Sequence, residues 1–208
     1  MIADTNSPCV GADILDFLKK RGIKSVGRYY RRESHPEWKI TPAEAAGLAN
    51  AGIKVFVVFE DHGYANNFNL SEAQGRADAR SAVEQARAIG QPGASVIYFA
   101  VEGLPDGYTT ADLPGVRNYF AGVTAEIAGR FKIGVYGDGI VCKTLLDEGV
   151  CSHTWLAQAS YAFEGTIDFY DSNRWSLAQI VNELDWKGLS IDINEHNGDI
   201  GDFLAQIR

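Results

Sequence analysis

The sequence predicts a single α/β domain, a TIM-like (β/α)8 barrel spanning residues 1–208. Three observations lead there. Eight short apolar runs, rich in β-branched residues, alternate with helical segments at a steady rhythm. Several runs lack the apolar/polar alternation of a one-sided sheet, so they read as strands buried on both faces. The glycine-rich phosphate turn of a doubly wound nucleotide-binding sheet is missing after the first strand, which removes the main competing fold.

The strand candidates are residues 1–4, 24–30, 53–60, 95–102, 131–136, 154–159, 175–181 and 189–194. The first helix, 13–21, closes on Gly22; the second, 42–51, on Gly52; the third, 71–89, on Gly90. Glycine there supplies the left-handed residue on which helices commonly end. The second helix has its start written as well: Thr41 caps, Pro42 takes the first helical position and Glu44 lies three residues after the cap. Ser71 heads the third. The fourth helix covers 110–129 and the fifth 138–149. After the sixth strand the helix is short (163–173), after the seventh none is visible, and 199–207 reads as a closing helix.

Composition bounds the function. With 208 residues, 46% hydrophobic and 22% charged, the chain suits one domain with a full core. Its net charge of −8 argues against a nucleic-acid partner, which calls for a basic footprint. No apolar run is long enough to span a membrane. The N-terminus shows no signal peptide, so the chain is either made in the cytoplasm or has already lost a leader. Cys9, Cys142 and Cys151 are too few for a disulfide framework; Cys142 and Cys151 could bridge in an oxidising compartment, with buried free thiols as the expected state. Four histidines show no zinc spacing, and neither a metal nor a cofactor is expected.

The chemistry-bearing residues sit where strands end. Asp4 closes the first strand, Glu60 and Asp61 the third, Glu102 the fourth, and Asp192 lies near the end of the eighth. The carboxyl ends of barrel strands carry the active site. In a closed barrel the first and eighth strands are neighbours, bringing Asp4 to Asp192 with Glu102 facing them across the mouth. Carboxylates sharing a rim repel, so at least one should hold its proton near neutrality. A protonated acid beside an ionised carboxylate is the layout of glycoside hydrolysis. Tyr29, Tyr30, Tyr98, Tyr136, Trp155 and Trp175 flank the same rim and offer apolar faces to sugar rings. His62 and the stretch 66–69 fall on the loop after the third strand, and Arg31 and Arg32 follow the second.

Several segments together resemble a known family: Ala3-Asp4-Thr5-Asn6, Val26-Gly27-Arg28-Tyr29-Tyr30, Gly75-Arg76-Ala77-Asp78-Ala79, Ile97-Tyr98-Phe99-Ala100-Val101-Glu102, Ile133-Gly134-Val135-Tyr136-Gly137, Trp155-Leu156-Ala157-Gln158 and Ile191-Asp192-Ile193-Asn194. The wording and chain order are similar to the glycoside-hydrolase-like barrels catalogued as domain of unknown function 1906, themselves related to the family 25 glycoside hydrolases, which are lysozymes. The resemblance implies a glycosidase on bacterial cell-wall peptidoglycan, acting outside the cytoplasm; the sequence does not fix the oligomeric state, and a monomer is the favoured expectation. It implies Glu102 as proton donor with Asp4 and Asp192 as catalytic partners. Glu60, Tyr98, Tyr136, Trp155, Gln158, Asn194 and Arg28 are the substrate-binding candidates. One departure stands out: where the lysozymes carry the first acid of Asp-x-Glu, this chain has Ala100. Asp192, Asp4 or Glu60 takes over that role, the substrate differs, or the domain binds glycan without cleaving it.

Overall fold

The computed structural model describes residues 1–32, 35–61, 70–102, 104, 106–157 and 160–206, with 182 and 183 described by backbone alone. Eight strands close a barrel in chain order: β1 (Ile2–Asp4), β2 (Ser25–Tyr30), β3 (Lys54–Phe59), β4 (Val96–Val101), β5 (Lys132–Gly137), β6 (His153–Leu156), β7 (Leu177–Trp186) and β8 (Leu189–His196). Helices α1 (Ala12–Lys20), α2 (Pro42–Asn50), α3 (Glu72–Ala88), α4 (Leu113–Ile127), α5 (Gly139–Asp147) and the short α6 (Thr166–Asp171) form the crossovers. The expected start of α2 is present, with the Thr41 hydroxyl accepting from the Glu44 amide at 3.1 Å. All three cysteines are free and buried.

Strand periodicity sorts the side chains into two layers. Phe56 and Val58 of β3, Tyr98 and Ala100 of β4, Tyr136 of β5, Trp155 of β6 and Leu177 of β7 form one cluster, the filling of the barrel. Their alternate neighbours, including Val57, Phe59, Phe99, Val101 and Val135, join the larger core against the helices.

Two elements differ from expectation. β8 runs antiparallel to both β7 and β1, so the barrel is parallel through seven strands and reverses at the last. The cause is local: β7 continues to Trp186 and turns through Lys187 and Gly188, whose φ values of 56° and 78° form a two-residue hairpin loop. A hairpin leaves no room for a crossover helix, which is why none is visible in the sequence there. The second difference is the closing segment, 199–206, which is irregular rather than helical. Gly201 at φ 72° breaks it, and Phe203 pairs with Val55 through two backbone hydrogen bonds of 2.8 Å. Ile200 and Phe203 are buried, and the Ile200 carbonyl accepts from the Tyr98 hydroxyl at 3.0 Å, so this segment seals the barrel floor.

The tightest helix contact is α3 on α4. A Cβ built on Gly75 would lie 1.9 Å from the Tyr119 carbonyl oxygen, and one on Gly122 2.1 Å from that of Glu72. Backbone stands against backbone, and neither side can yield by a rotamer change. Gly75→Ala is therefore expected to destabilise the fold by about 1–3 kcal/mol, read as a lower urea midpoint, despite alanine's better helix propensity. An unchanged midpoint would show that the helices separate freely.

Candidate active site

The floor of the site is a hydrogen-bonded network centred on Asp4, at the end of β1. The β1–β8 register pairs Asp4 with Asp192, so the reversed strand still delivers the two acids side by side. Asn194 of β8 donates to Asp4 Oδ2 at 2.7 Å. Gln179 of β7 reaches Asp4 Oδ1 at 3.4 Å and Oδ2 at 3.3 Å, and Asp192 Oδ2 at 3.4 Å. Both amides are oriented by what their oxygens accept: the Trp155 indole N–H donates to Asn194 Oδ1 at 2.8 Å, and the Tyr136 hydroxyl to Gln179 Oε1 at 2.9 Å. Their NH2 groups consequently turn toward the acids. Asp4 is nonetheless pushed up to about 8, first by burial and then by the Asp192 charge, against the pull of the two amides.

Room for this arrangement comes from Gly27, the β2 partner of Asp4. A Cβ there would lie 2.6 Å from Asp4 Cβ and 2.7 Å from the Phe56 ring.

Glu60 and Glu102 form the other wall. β3 and β4 pair at Phe59 and Phe99, so Glu60 lies one step on, beside Ala100 and two residues below Glu102. Glu60, Ala100 and Glu102 line a common crevice with Phe59, Asp61, Asp78 and Tyr119. Glu102 is pushed up to about 8, first by burial, then by the charge of Glu60, and less by Asp4; a hydrogen bond with Tyr136 pulls it back. The Tyr136 hydroxyl stands between Gln179 Oε1, at 2.9 Å, and the Glu102 carboxyl, whose charged form it favours. That chain, Glu102 to Tyr136 to Gln179 to Asp4, links both walls. Glu60 is also raised by burial but opposed by Arg31, whose Nη2 stands 3.1 Å from Oε1. The Tyr29 phenol is raised well above its usual value, first by burial and then by the charges of Glu60, Asp4, Glu102 and Asp192.

The structure thus brings Glu102, Asp4, Asp192, Glu60, Tyr136 and Asn194 to one mouth. Three other sequence candidates stand elsewhere. Arg28 is wholly buried on the outer side of β2, paired with Glu44 of α2 at 2.7 Å, and offers nothing to a ligand in the barrel. Tyr98 shares the inner face but sits at the floor, bonded to Ile200. Trp155 is 1% exposed and acts through Asn194 rather than as a stacking surface. Gln158 lies outside the described residues, as do His62 and the stretch 66–69. Gln179 was missed, although a polar residue within Leu177-Ala178-Gln179-Ile180-Val181 is a signal by itself. Among the described residues no group of three His, Cys, Asp or Glu could hold a metal ion, and no helix is long and apolar enough to cross a membrane.

Comparison with known proteins agrees with the barrel fold. Among curated proteins, the chain is 31% identical over 213 residues to the uncharacterised protein YbfG of Bacillus subtilis, an alignment covering 93% of this chain and 29% of that protein. The chain spans less than a third of the length of the curated relatives it matches. Among solved structures, the Tat-secreted protein Rv2525c of Mycobacterium tuberculosis, in complex with HEPES, has a TM-score of 0.80 at 19% identity, covering 97% of each chain. The catalytic domain of endolysin ply40, from bacteriophage P40 of Listeria monocytogenes, has a TM-score of 0.60 at 17% identity, covering 96% of this chain and 95% of that one. At those identities the likeness is one of fold. Residues 16–199 match the family described as the Rv2525c-like, glycoside hydrolase-like domain, and this chain belongs to that family.

Proposed function

We propose that this domain is a glycoside hydrolase acting on bacterial cell-wall peptidoglycan, with Glu102 as general acid. The observation that carries the proposal is the gathering of Glu102, Glu60, Asp4 and Asp192 at one barrel mouth, where burial and the Glu60 charge raise Glu102 to about 8. An acid that keeps its proton at neutral pH, beside other carboxylates, meets the requirement for protonating a glycosidic oxygen. The substrate class is supported by fold neighbours that include an endolysin and a muramidase. A setting outside the cytoplasm is supported by the Tat-secreted relative.

Substrate assistance is the favoured route, since Ala100 supplies no acid beside Glu102. The carbonyl oxygen of a 2-acetamido group closes on the anomeric carbon as the C–O bond breaks and the leaving oxygen takes the Glu102 proton. Water then opens the oxazolinium ring, returning a proton to Glu102. Asp4 and Asp192 border the reacting sugar from the opposite wall.

Incubation with purified peptidoglycan, followed by assay of reducing ends and mass analysis of the fragments, tests the proposal. New reducing ends support it; retention on peptidoglycan without cleavage favours a binding module, the reading to which Ala100 lends weight. The pH profile is a second check. Glu102 is active only when protonated, so kcat/KM should fall by about tenfold per unit as pH rises beyond about 8. A profile flat to pH 10 would remove Glu102 from the role.

A further inference from the structure

Arg31 has no part in the reaction just described, yet it is among the most firmly held side chains in the molecule. It is 1% exposed, its guanidinium lies 4.5 Å from the Trp38 ring centroid and 5.2 Å from that of Tyr29, and its backbone N–H donates to Gln85 of α3 at 3.1 Å. This fixed cation points Nη2 at Glu60. Burying an arginine is costly unless it is paired, so its placement against Glu60 invites a reason. Glu60 offers one. It stands beside Ala100 across the β3–β4 ladder, where the small methyl leaves space for a neighbouring carboxylate.

We infer that Glu60 is the ionised catalytic carboxylate that works with Glu102, supplied by β3 in place of the acid absent from position 100, and that Arg31 is the positioning residue holding it charged and aimed. The inference rests on the glycosidase reading above and assigns a role that the reading leaves vacant. During ring closure the acetamido nitrogen gains positive charge; Glu60 accepts its N–H hydrogen bond and stabilises that charge, taking no proton and forming no bond. Asp4 serves this purpose poorly, since two amides already occupy its oxygens and burial and the Asp192 charge oppose its ionisation. The groups facing Glu60 are Arg31, Tyr29, Glu102, Asp4 and, through the shared crevice, Asp61 and Asp78, the last two bridged by Arg32 at 3.3 and 3.0 Å. With Arg31 removed, nothing else in that set offsets the charge of Glu60 as directly.

The test compares Glu60→Gln, Arg31→Met and Arg31→Lys with the parent protein on peptidoglycan, alongside 13C NMR titration of the side-chain carboxyls. Glu60→Gln should lower kcat by about 10²-fold with little change in KM, and should move the alkaline limb of the pH profile downward, because Glu102 loses the like charge that raises it. Arg31→Met should lower kcat and move the acid limb upward, as Glu60 takes up a proton more readily; Arg31→Lys should restore part of both. By NMR, the Glu102 carboxyl should titrate lower in Glu60→Gln, a readout that needs no turnover and holds whatever the substrate proves to be. Glu60→Gln with full kcat and an unmoved Glu102 titration would overturn the inference while leaving the glycosidase reading intact. Full activity in Glu102→Gln would overturn that reading, and the inference with it.

Discussion

Glu102→Gln is expected to lower kcat on peptidoglycan by about 10³-fold while the protein becomes more stable in alkaline solution. The amide keeps the shape of the carboxyl and its contact with Tyr136 but cannot give up a proton. The stability gain follows from the direction of the shift. The folded-state value, about 8, lies above the ordinary value of 4.5, so the folded state holds this proton more tightly than the unfolded chain does. That preference favours folding below about 4.5 and is progressively lost as pH rises to about 8; beyond it, the folded protein carries a buried charge among Glu60 and Asp4. Glutamine removes the charge, and at pH 9 the variant should unfold about 1–3 kcal/mol less readily than the parent, with little difference at pH 4. Reducing-end assays and urea melts at the two pH values read both effects. Loss of activity together with loss of stability at pH 9 would mean that Glu102 supports the fold rather than burdening it.

The same tension explains how the site could be read from the sequence at all. A run such as Ser95-Val96-Ile97-Tyr98-Phe99-Ala100-Val101 that ends on Glu102 breaks its own hydrophobic logic, and Asp4 and Glu60 do so on their strands. The candidate site lies where local consistency fails. The failures of reading are equally physical. A strand has the same period of two in either direction, so nothing in 189–194 disclosed that β8 runs backwards; the signal lay in the Lys187-Gly188 turn. The closing segment carries Ile200, Phe203 and Leu204 at helical spacing, but Gly198 and Gly201 at positive φ take the chain across the barrel floor instead. Tyr98 has the inward parity of Glu102 and the wrong height: four residues along a strand is about 13 Å, enough to carry it from mouth to floor. Arg28 has the wrong parity, sharing its face with Val26 and Tyr30, both buried against the helices. Gln179 and Arg31 matter through what they hold, and a partner brought in from a distant strand leaves no mark on local sequence.

Arg28→Ala is expected to cost the fold about 3–5 kcal/mol, the largest loss of stability foreseen for a single substitution in this protein. Its Nε donates to Glu44 Oε1 at 2.7 Å and Nη2 approaches Oε2 at 3.4 Å; Nη2 also donates to the Trp38 carbonyl at 3.1 Å, and Nη1 to that of Thr5. Glu44 has one further donor, the Cys9 amide at 2.8 Å. Alanine would strand a 1% exposed carboxylate and two carbonyls without their charged donor, at the junction of β1, β2 and α2. For a chain of this size that corresponds to a melting temperature lower by roughly 10 °C. Glu44→Ala should cost a comparable amount, and the double variant should lose less than the two combined, since most of each penalty comes from the abandoned partner. Thr5 adjoins Asp4, so the guanidinium also braces the strand end that carries this acid of the candidate site. Kinetics separate this role from substrate binding. A buried brace lowers the amount of folded protein and leaves KM near its parent value at low temperature, whereas a ligand contact raises KM by tenfold or more and spares the melt. A raised KM in a protein that melts normally would return Arg28 to the binding site.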